Sequence, residues 1–272
     1  MRKFAIAAAI AALPLMLAAP ALAAPTSTFK LGVVPNKASK TAVLTTSLTY
    51  ADTQGNDVLV VPLQFTDITL PKGFVFDTAF LNNKANQCDS KKVQQVTKDP
   101  TKDCPKSSLL GFGGAGFVAV AGTTQIPANT VKIDKPGAPS ANKGVLVYNA
   151  KVRSDVNATP EDSNHVAPQC KDKPTFFIFS NAIVPIQDQR VFPGCFVTVA
   201  GRSVIRVPIY KILVAGLMVS VVKFETTIKG VKTGTCPTGG WKSSATTTFR
   251  DSLGNPGTVK YTANSAATRC TK

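Results

Sequence analysis

Residues 203–230 read SVIRVPIYKILVAGLMVSVVKFETTIKG, the most apolar stretch of the chain beyond its first two dozen residues. Between Lys211 and Lys223 lie eleven uncharged residues, 212–222, where a membrane-spanning helix needs about 20. The stretch is too short to cross a bilayer as a helix. Val and Ile dominate it and Gly216 interrupts it. Beyond it Val222, Phe224 and Ile228 alternate with Lys223, Glu225, Thr227 and Lys229. A period of two marks a half-buried strand. The stretch therefore reads as core strands of a β-sheet, broken near Ala215 and Gly216 by a turn or bulge.

The same period recurs along the chain. Ala42, Leu44, Leu48 and Tyr50 share one face of a strand whose other face shows Val43, Thr45, Ser47 and Thr49. Leu59, Val61, Leu63 and Phe65 point one way, and Ile68 and Leu70 follow on the opposite parity, which predicts a bulge near Thr66 and Asp67. Leu146, Tyr148, Ala150 and Val152 form another half-buried face, and residues 176–179 read as a strand buried on both sides. Trp241, Ala245 and Phe249, then Val259 and Tyr261, make a last pair. Residues 135–143 and 154–168 are loops by composition. One echo stands out: residues 50–56, YADTQGN, resemble residues 249–255, FRDSLGN, each an aromatic strand end followed by a turn. Recurrent hairpin chemistry explains the match with fewer assumptions than duplication. The expected fold is all-β, an antiparallel β-sandwich of jelly-roll or immunoglobulin-like kind, forming a single domain over residues 24–272.

The N-terminus carries an address. Arg2 and Lys3 precede an apolar segment from Phe4 to Leu17, and Ala21, Leu22 and Ala23 supply small residues at a cleavage site. Residues 1–23 read as a secretory signal peptide, which places the remainder outside the cell or at its envelope. Six cysteines follow: Cys88, Cys104, Cys170, Cys195, Cys236 and Cys270. An even number in an exported chain points to disulfides, and pairing in sequence order is the simplest of the arrangements that six cysteines permit. Zinc is not expected, because there is no CxxC and His165 is the only histidine.

Without Arg2 and Lys3 the chain keeps 29 basic and 15 acidic side chains, a formal charge near +14. From Arg190 to Lys272 there are twelve Lys or Arg against Glu225 and Asp251. Such a surplus attracts polyanions, and an anionic envelope polymer or glycan is the expected partner. Nucleic acid is not. Strand alternation offers Arg202, Arg206, Lys211, Lys223 and Lys229 as candidates for one binding face. The competing reading is a solvated basic surface, since no run of five basic residues occurs.

Catalytic signatures are sparse. Residues 111–116, GFGGAG, match the GxGxxG pattern of dinucleotide sites, but a strand follows where the phosphate-binding helix belongs. Close strand packing explains these glycines better, and no cofactor is expected. A Ser-His-Asp arrangement would have to be built around His165 in a polar loop, with no GxSxG elbow. Glycoside hydrolysis needs two converging carboxyl groups, for which Glu225 with Asp251 and Glu161 with Asp162 are the pairs to test. Asp52 and Asp57 flank a Gly-Asn turn but lack the terminal Glu of a calcium loop. Trp241, the sole tryptophan, lies on the parity of Ala245 and Phe249, which favours packing over sugar stacking.

Two blocks carry a resemblance. One runs from Leu70-Pro71-Lys72-Gly73 through Cys88 to Cys104-Pro105-Lys106-Ser107-Ser108 and the glycines at 111–116. The other runs from Cys236-Pro237-Thr238-Gly239-Gly240-Trp241 through Phe249-Arg250-Asp251 to Cys270. Over about half of the exported chain this resembles a group of exported proteins of high-GC Gram-positive bacteria. The resemblance implies an all-β domain with both local cysteine pairs bridged. No activity is attached to that group, so no catalytic residue carries over. The functional expectation is a secreted or envelope-bound, non-enzymatic binding or structural protein, with an extracellular glycan-active hydrolase as the alternative.

Overall fold

A computed structural model describes residues 25–51, 62–89, 100–121, 124–130, 144–150, 170, 173–184, 188–214, 216–251 and 254–272. Expectations for the signal peptide, the loops at 135–143 and 154–168, the turn at Asp52 and Asp57, and Leu59, Val61, Val152, Glu161, Asp162, His165 and Ala215 lie outside these residues. In chain order the strands are β1 (Thr26–Val34), β2 (Thr41–Ala51), β3 (Leu63–Thr69), β4 (Val75–Phe76), β5 (Leu109–Ala121), β6 (Thr124–Thr130) and β7 (Val145–Ala150). They continue with β8 (Thr175–Val184), β9 (Asp188–Val199), β10 (Arg202–Pro208), β11 (Ile212–Val214), β12 (Leu217–Lys232), β13 (Ser244–Phe249) and β14 (Lys260–Asn264). Helix is confined to single turns such as α1 (Thr78–Asn82) and α2 (Pro100–Asp103) among the described residues.

All fourteen strands join one antiparallel sheet, ordered β1-β2-β12-β5-β6-β8-β9-β10-β3-β13-β14, with β4 and β11 on β12 and β7 between β5 and β8. A sandwich of two sheets, the sequence-based expectation, is replaced by one continuous sheet curled into a nearly closed, barrel-like wall. Strand twist and local bulges supply the curvature. The β12–β5 register slips between Val221 and Lys223, and the β12–β2 register slips between Ile228 and Val231. The ends of the path meet. Thr268 Oγ1 donates to the Leu31 carbonyl at 2.9 Å, and Lys37 forms a parallel bridge with Thr271 through amide bonds of 3.0 and 2.8 Å.

The nucleus of the sheet is the stretch that opened the sequence reading. Ile212–Val214 and Leu217–Lys232 form a hairpin, and Gly216 holds the turn at φ +79°, where a side chain is strained. Phe224 and Ile228 face inward opposite Leu48 and Leu44 of β2, as alternation predicts. Val222 does not join them, because it is the residue bulged out of the β5 pairing. The bulge expected near Thr66 sits two residues earlier. Thr248 pairs with Phe65 and Phe249 with Leu63, which leaves Gln64 as the extra residue.

The curled sheet encloses the main core, and two smaller cores lie on its outside. Inner residues include Leu44, Leu48, Phe176, Ile205 and Phe249. Phe177 and Phe179 of β8 point the other way, into an outer core with Leu146, Tyr148 and Val191. Residues 77–89 and 100–108 cover that core and are clamped by Cys88–Cys104, with the Cys88 amide bonded to the Asn149 carbonyl at 2.8 Å. This cover corrects the expectation for β7. It is buried on both faces because the disulfide loop shields its outside. A second outer core of Val197 and Val204 lies under Cys170–Cys195, and Cys236–Cys270 ties the C-terminal tail to the segment after β12. All three bridges follow sequence order. Their loops span 16, 25 and 34 residues, each worth about 3 to 4 kcal/mol in chain entropy.

Candidate functional site

β1, β2 and β12 build a regular outward wall. β1 and β2 bury one parity in the core and leave the other in water, and β12 does so over residues 226–229. In register, Lys30 faces Ser47, which faces Glu225; Thr28 faces Thr49, which faces Lys223; and Thr45 faces Thr227. Hydroxyls and lysines thus form short rows across three strands. Lys223 approaches Glu225 at 3.4 Å with its side chain half exposed, and Ser47 Oγ donates to the same carboxylate at 3.3 Å. An exposed pair of this kind is weak, so Lys223 stays available to an incoming anion. Further along β12, Lys229 lies 5.6 Å from the Phe80 ring centre, and partial burial lowers its pKa from the ordinary value. Lys232 pairs with Asp77 at 3.5 Å.

The five cations proposed from sequence are not gathered on this wall. Lys223 and Lys229 belong to it. Arg202 and Arg206 stand on β10, separated from β12 by β5, β6, β8 and β9 in the sheet order. Arg202 donates to the carbonyls of Leu70 and Lys242. Arg206 grips Asp67 through two bonds of 2.8 and 2.6 Å, and that hydrogen bonding raises its pKa. Lys211 lies in the connection before β11. Lys30, on β1, went unselected because the charge surplus was sought only after Arg190; its outward parity was the available signal.

The carboxylates considered for hydrolysis are engaged separately. Glu225 is held on the wall as described, and Asp251 closes a turn by accepting from the Asn255 amide at 2.7 Å and Nδ2 at 3.0 Å. Trp241 is buried, stacks edge-on against Phe74 at 4.9 Å and donates from Nε1 to the Thr235 carbonyl at 2.9 Å. It is a core residue beside the Cys236–Cys270 bridge. The GxGxxG glycines serve packing. A Cβ on Gly111 would lie 1.7 Å from the Thr227 carbonyl oxygen, and one on Gly113 would lie 1.8 Å from that of Glu225. Among the described residues no group of three potential metal ligands occurs, and no helix is long and apolar enough to cross a membrane.

Inside the curl lies an apolar pocket of about 40 Å³, walled by seven strands. Ala115, Ile178, Phe192, Val207 and Val221 contribute to its lining, together with Ile209 and Phe224, which are only partly buried. Room for a few waters exists, but water needs polar partners. Three hydroxyls lie in the lining, those of Tyr50, Thr66 and Ser180; Tyr50 and Thr66 share a hydrogen bond of 3.1 Å, and Thr66 bonds Thr247 in turn at 3.1 Å. The rest of the lining is hydrocarbon. Left unfilled, a void of this size costs about 1 kcal/mol at roughly 24 cal/mol per Å³. Nothing in the alternation of these residues distinguishes a pocket lining from an ordinary core. Comparison with family models, curated proteins and solved structures finds no match.

Proposed function

We propose that the chain is a non-enzymatic binding protein of the cell exterior, whose basic surface rests on an anionic envelope polymer. The observation that carries this reading is the wall of β1, β2 and β12, where Lys30 and Lys223 flank rows of Thr and Ser hydroxyls. A polyanion chain laid across these strands meets cations for its charges and hydroxyls for its remaining oxygens. Disulfide-clamped covers suit a protein that works outside the reducing cytosol. The hydrolase alternative gains no support from Glu225 and Asp251, each held by its own partners.

Retention on an isolated anionic cell-wall polymer, beside a neutral polysaccharide, tests the proposal. Binding to the anionic matrix is expected to fall steeply between low and physiological salt as counterions compete. Lys30→Glu with Lys223→Glu should abolish it at salt where the unmodified chain is half retained. Lys102→Glu with Lys106→Glu, an equal charge change on the disulfide cover, should leave most retention in place. Equal retention on both matrices, or none on either at low salt, removes the electrostatic reading. An equal loss from the two double variants removes the wall.

A further inference from the structure

We propose that the end of the curled sheet at which β1, β3, β12 and β14 finish is a docking surface for an anionic lipid bilayer, with cations for the headgroups and exposed valines for the layer beneath them. It uses residues other than Lys30 and Lys223, so it stands whether or not the wall binds a polymer. Four segments interlock at this end: residues 35–40, 71–73, 233–242 and 266–271. Lys37 bridges Thr271, and the Lys37 carbonyl accepts from Thr233 Oγ1 at 2.6 Å. Gly234 packs so closely on Gly73 that a Cβ there would lie 2.7 Å from the Gly73 carbonyl carbon. Trp241 and Thr268 exchange amide bonds of 2.9 and 2.8 Å, and Cys236–Cys270 ties the last two segments together. These links make one braced surface out of four connections that lie far apart in the chain.

Its charge is one-sided. Lys37, Lys40, Lys72, Lys242 and Arg269 are exposed on these four segments, which contain no Asp or Glu. None of the five is ion-paired among the described residues. Asp77, just beyond β4, is already taken by Lys232 at 3.5 Å. Apolar side chains stand at the same rim. Val34 is 66% exposed at the end of β1, and Val75 is 52% exposed at the start of β4. Val43, 41% exposed, is the partner of Val34 on β2, and Val75 faces Lys232, which faces Thr41 on the same side of β2 as Val43. Valines beside unpaired cations fit an interface in which apolar groups reach below the headgroups while Lys and Arg meet their charge. A soluble polyanion would use the cations and leave the valines in water. A neutral bilayer would use the valines and leave the cations without partners.

Sedimentation with lipid vesicles tests the proposal on residues 24–272, which include every described residue. Vesicles of phosphatidylglycerol and phosphatidylcholine in equal parts should capture the chain at least tenfold better than phosphatidylcholine alone, and the advantage should shrink as salt rises. A Lys beside such a surface is worth about fivefold in partitioning, so Lys37→Gln with Lys72→Gln should weaken capture at least tenfold. Lys30→Gln with Lys223→Gln, an equal loss of charge on the wall, should weaken it less than threefold. Val34→Ser with Val75→Ser should weaken vesicle capture several-fold and leave retention on long-chain polyphosphate unchanged. In the unmodified chain, a nitroxide on the lipid acyl chain should broaden the amide signals of Lys37 and Val75 before those of Leu213 and Val259, near the opposite end where β12 and β14 begin. Equal capture by neutral and anionic vesicles, or equal broadening at the two ends, overturns the proposal. Valine variants captured as well as the unmodified chain overturn the lipid assignment in favour of a soluble polyanion. An equal loss from the two lysine pairs overturns the placement at this end.

Discussion

Tyr50 puts a phenol in the interior, where burial raises its pKa above the ordinary 10.0 despite hydrogen bonds to Thr66 and Thr247. In the unfolded chain the same phenol ionises near 10.0, so between that value and the folded pKa the native state holds more proton. The corresponding stability is fully present below pH 10.0 and is lost as pH rises past it, by up to about 1.4 kcal/mol per pH unit. Tyr50→Phe removes this dependence together with the phenol's buried hydrogen bonding to Thr66 and Thr247, worth on the order of 1 kcal/mol per bond at neutral pH. Denaturant titrations from pH 8 to 11 should therefore show wild type and variant converging above pH 10. A constant difference across that range would contradict the assignment. Tyr50 also shows what a single residue reveals in sequence. Its inward parity was legible from Leu44 and Leu48, whereas its edge-on contact with Phe249 at 6.3 Å joins the two halves of the YADTQGN and FRDSLGN echo in space, which no local pattern could indicate.

Among the elements, β5 and β12 are coupled most closely, because Gly111 and Gly113 leave room for β12 carbonyls where other residues carry a Cβ. Gly113→Ala should force the strands apart and cost about 3 kcal/mol. Gly32→Ala in β1 is the contrast: its new Cβ would sit 3.5 Å from Thr45 Cβ, an ordinary contact, and stability should change by less than about 0.5 kcal/mol. Thermal unfolding distinguishes the two, and equal effects would show that the close approach is not what selects glycine at 113. The strands readable from sequence were those with one face in water, such as β2, whose parity is kept from Thr41 to Ala51. β7 was misread because Cys88–Cys104 puts a second core on its outer face, and burial on both sides erases the period of two. The Gln64 bulge was detected but placed late, since parity changes become visible only at the next large apolar residue, Ile68. Half of the candidate wall was legible, Lys223 and Lys229 through their alternation on β12. Arg206 was selected by the same rule, which cannot foresee that Asp67 lies opposite it.

For the molecule as a whole, closure depends on the C-terminal tail. Cys236–Cys270 holds that tail where Thr268 meets Leu31 and Thr271 meets Lys37. Replacing both cysteines with serine should cost about 4 kcal/mol and should deprotect the amides of Ala38, Trp241 and Thr271 first in hydrogen-exchange mass spectrometry. The Cys88→Ser, Cys104→Ser variant should instead loosen residues 77–89 and 100–108 and spare that seam. Uniform deprotection in either variant would show that the bridges act on the molecule globally. Neither the closure nor the pocket was legible in sequence, because alternation reports which side of a strand is dry and not which distant strand lies beside it. The meeting of Lys37 with Thr271 also sets an order of events in time. A chain made from its N-terminal side can form the β1–β2 hairpin early, but β2 waits for β12, and the ring waits for residues 268–271. Contacts of such long range form slowly. Until the tail arrives the sheet is an open trough with its greasy side uncovered, a state that invites aggregation. Pairing of residues 268–271 with β1 and the segment after it is the latch that closes this trough.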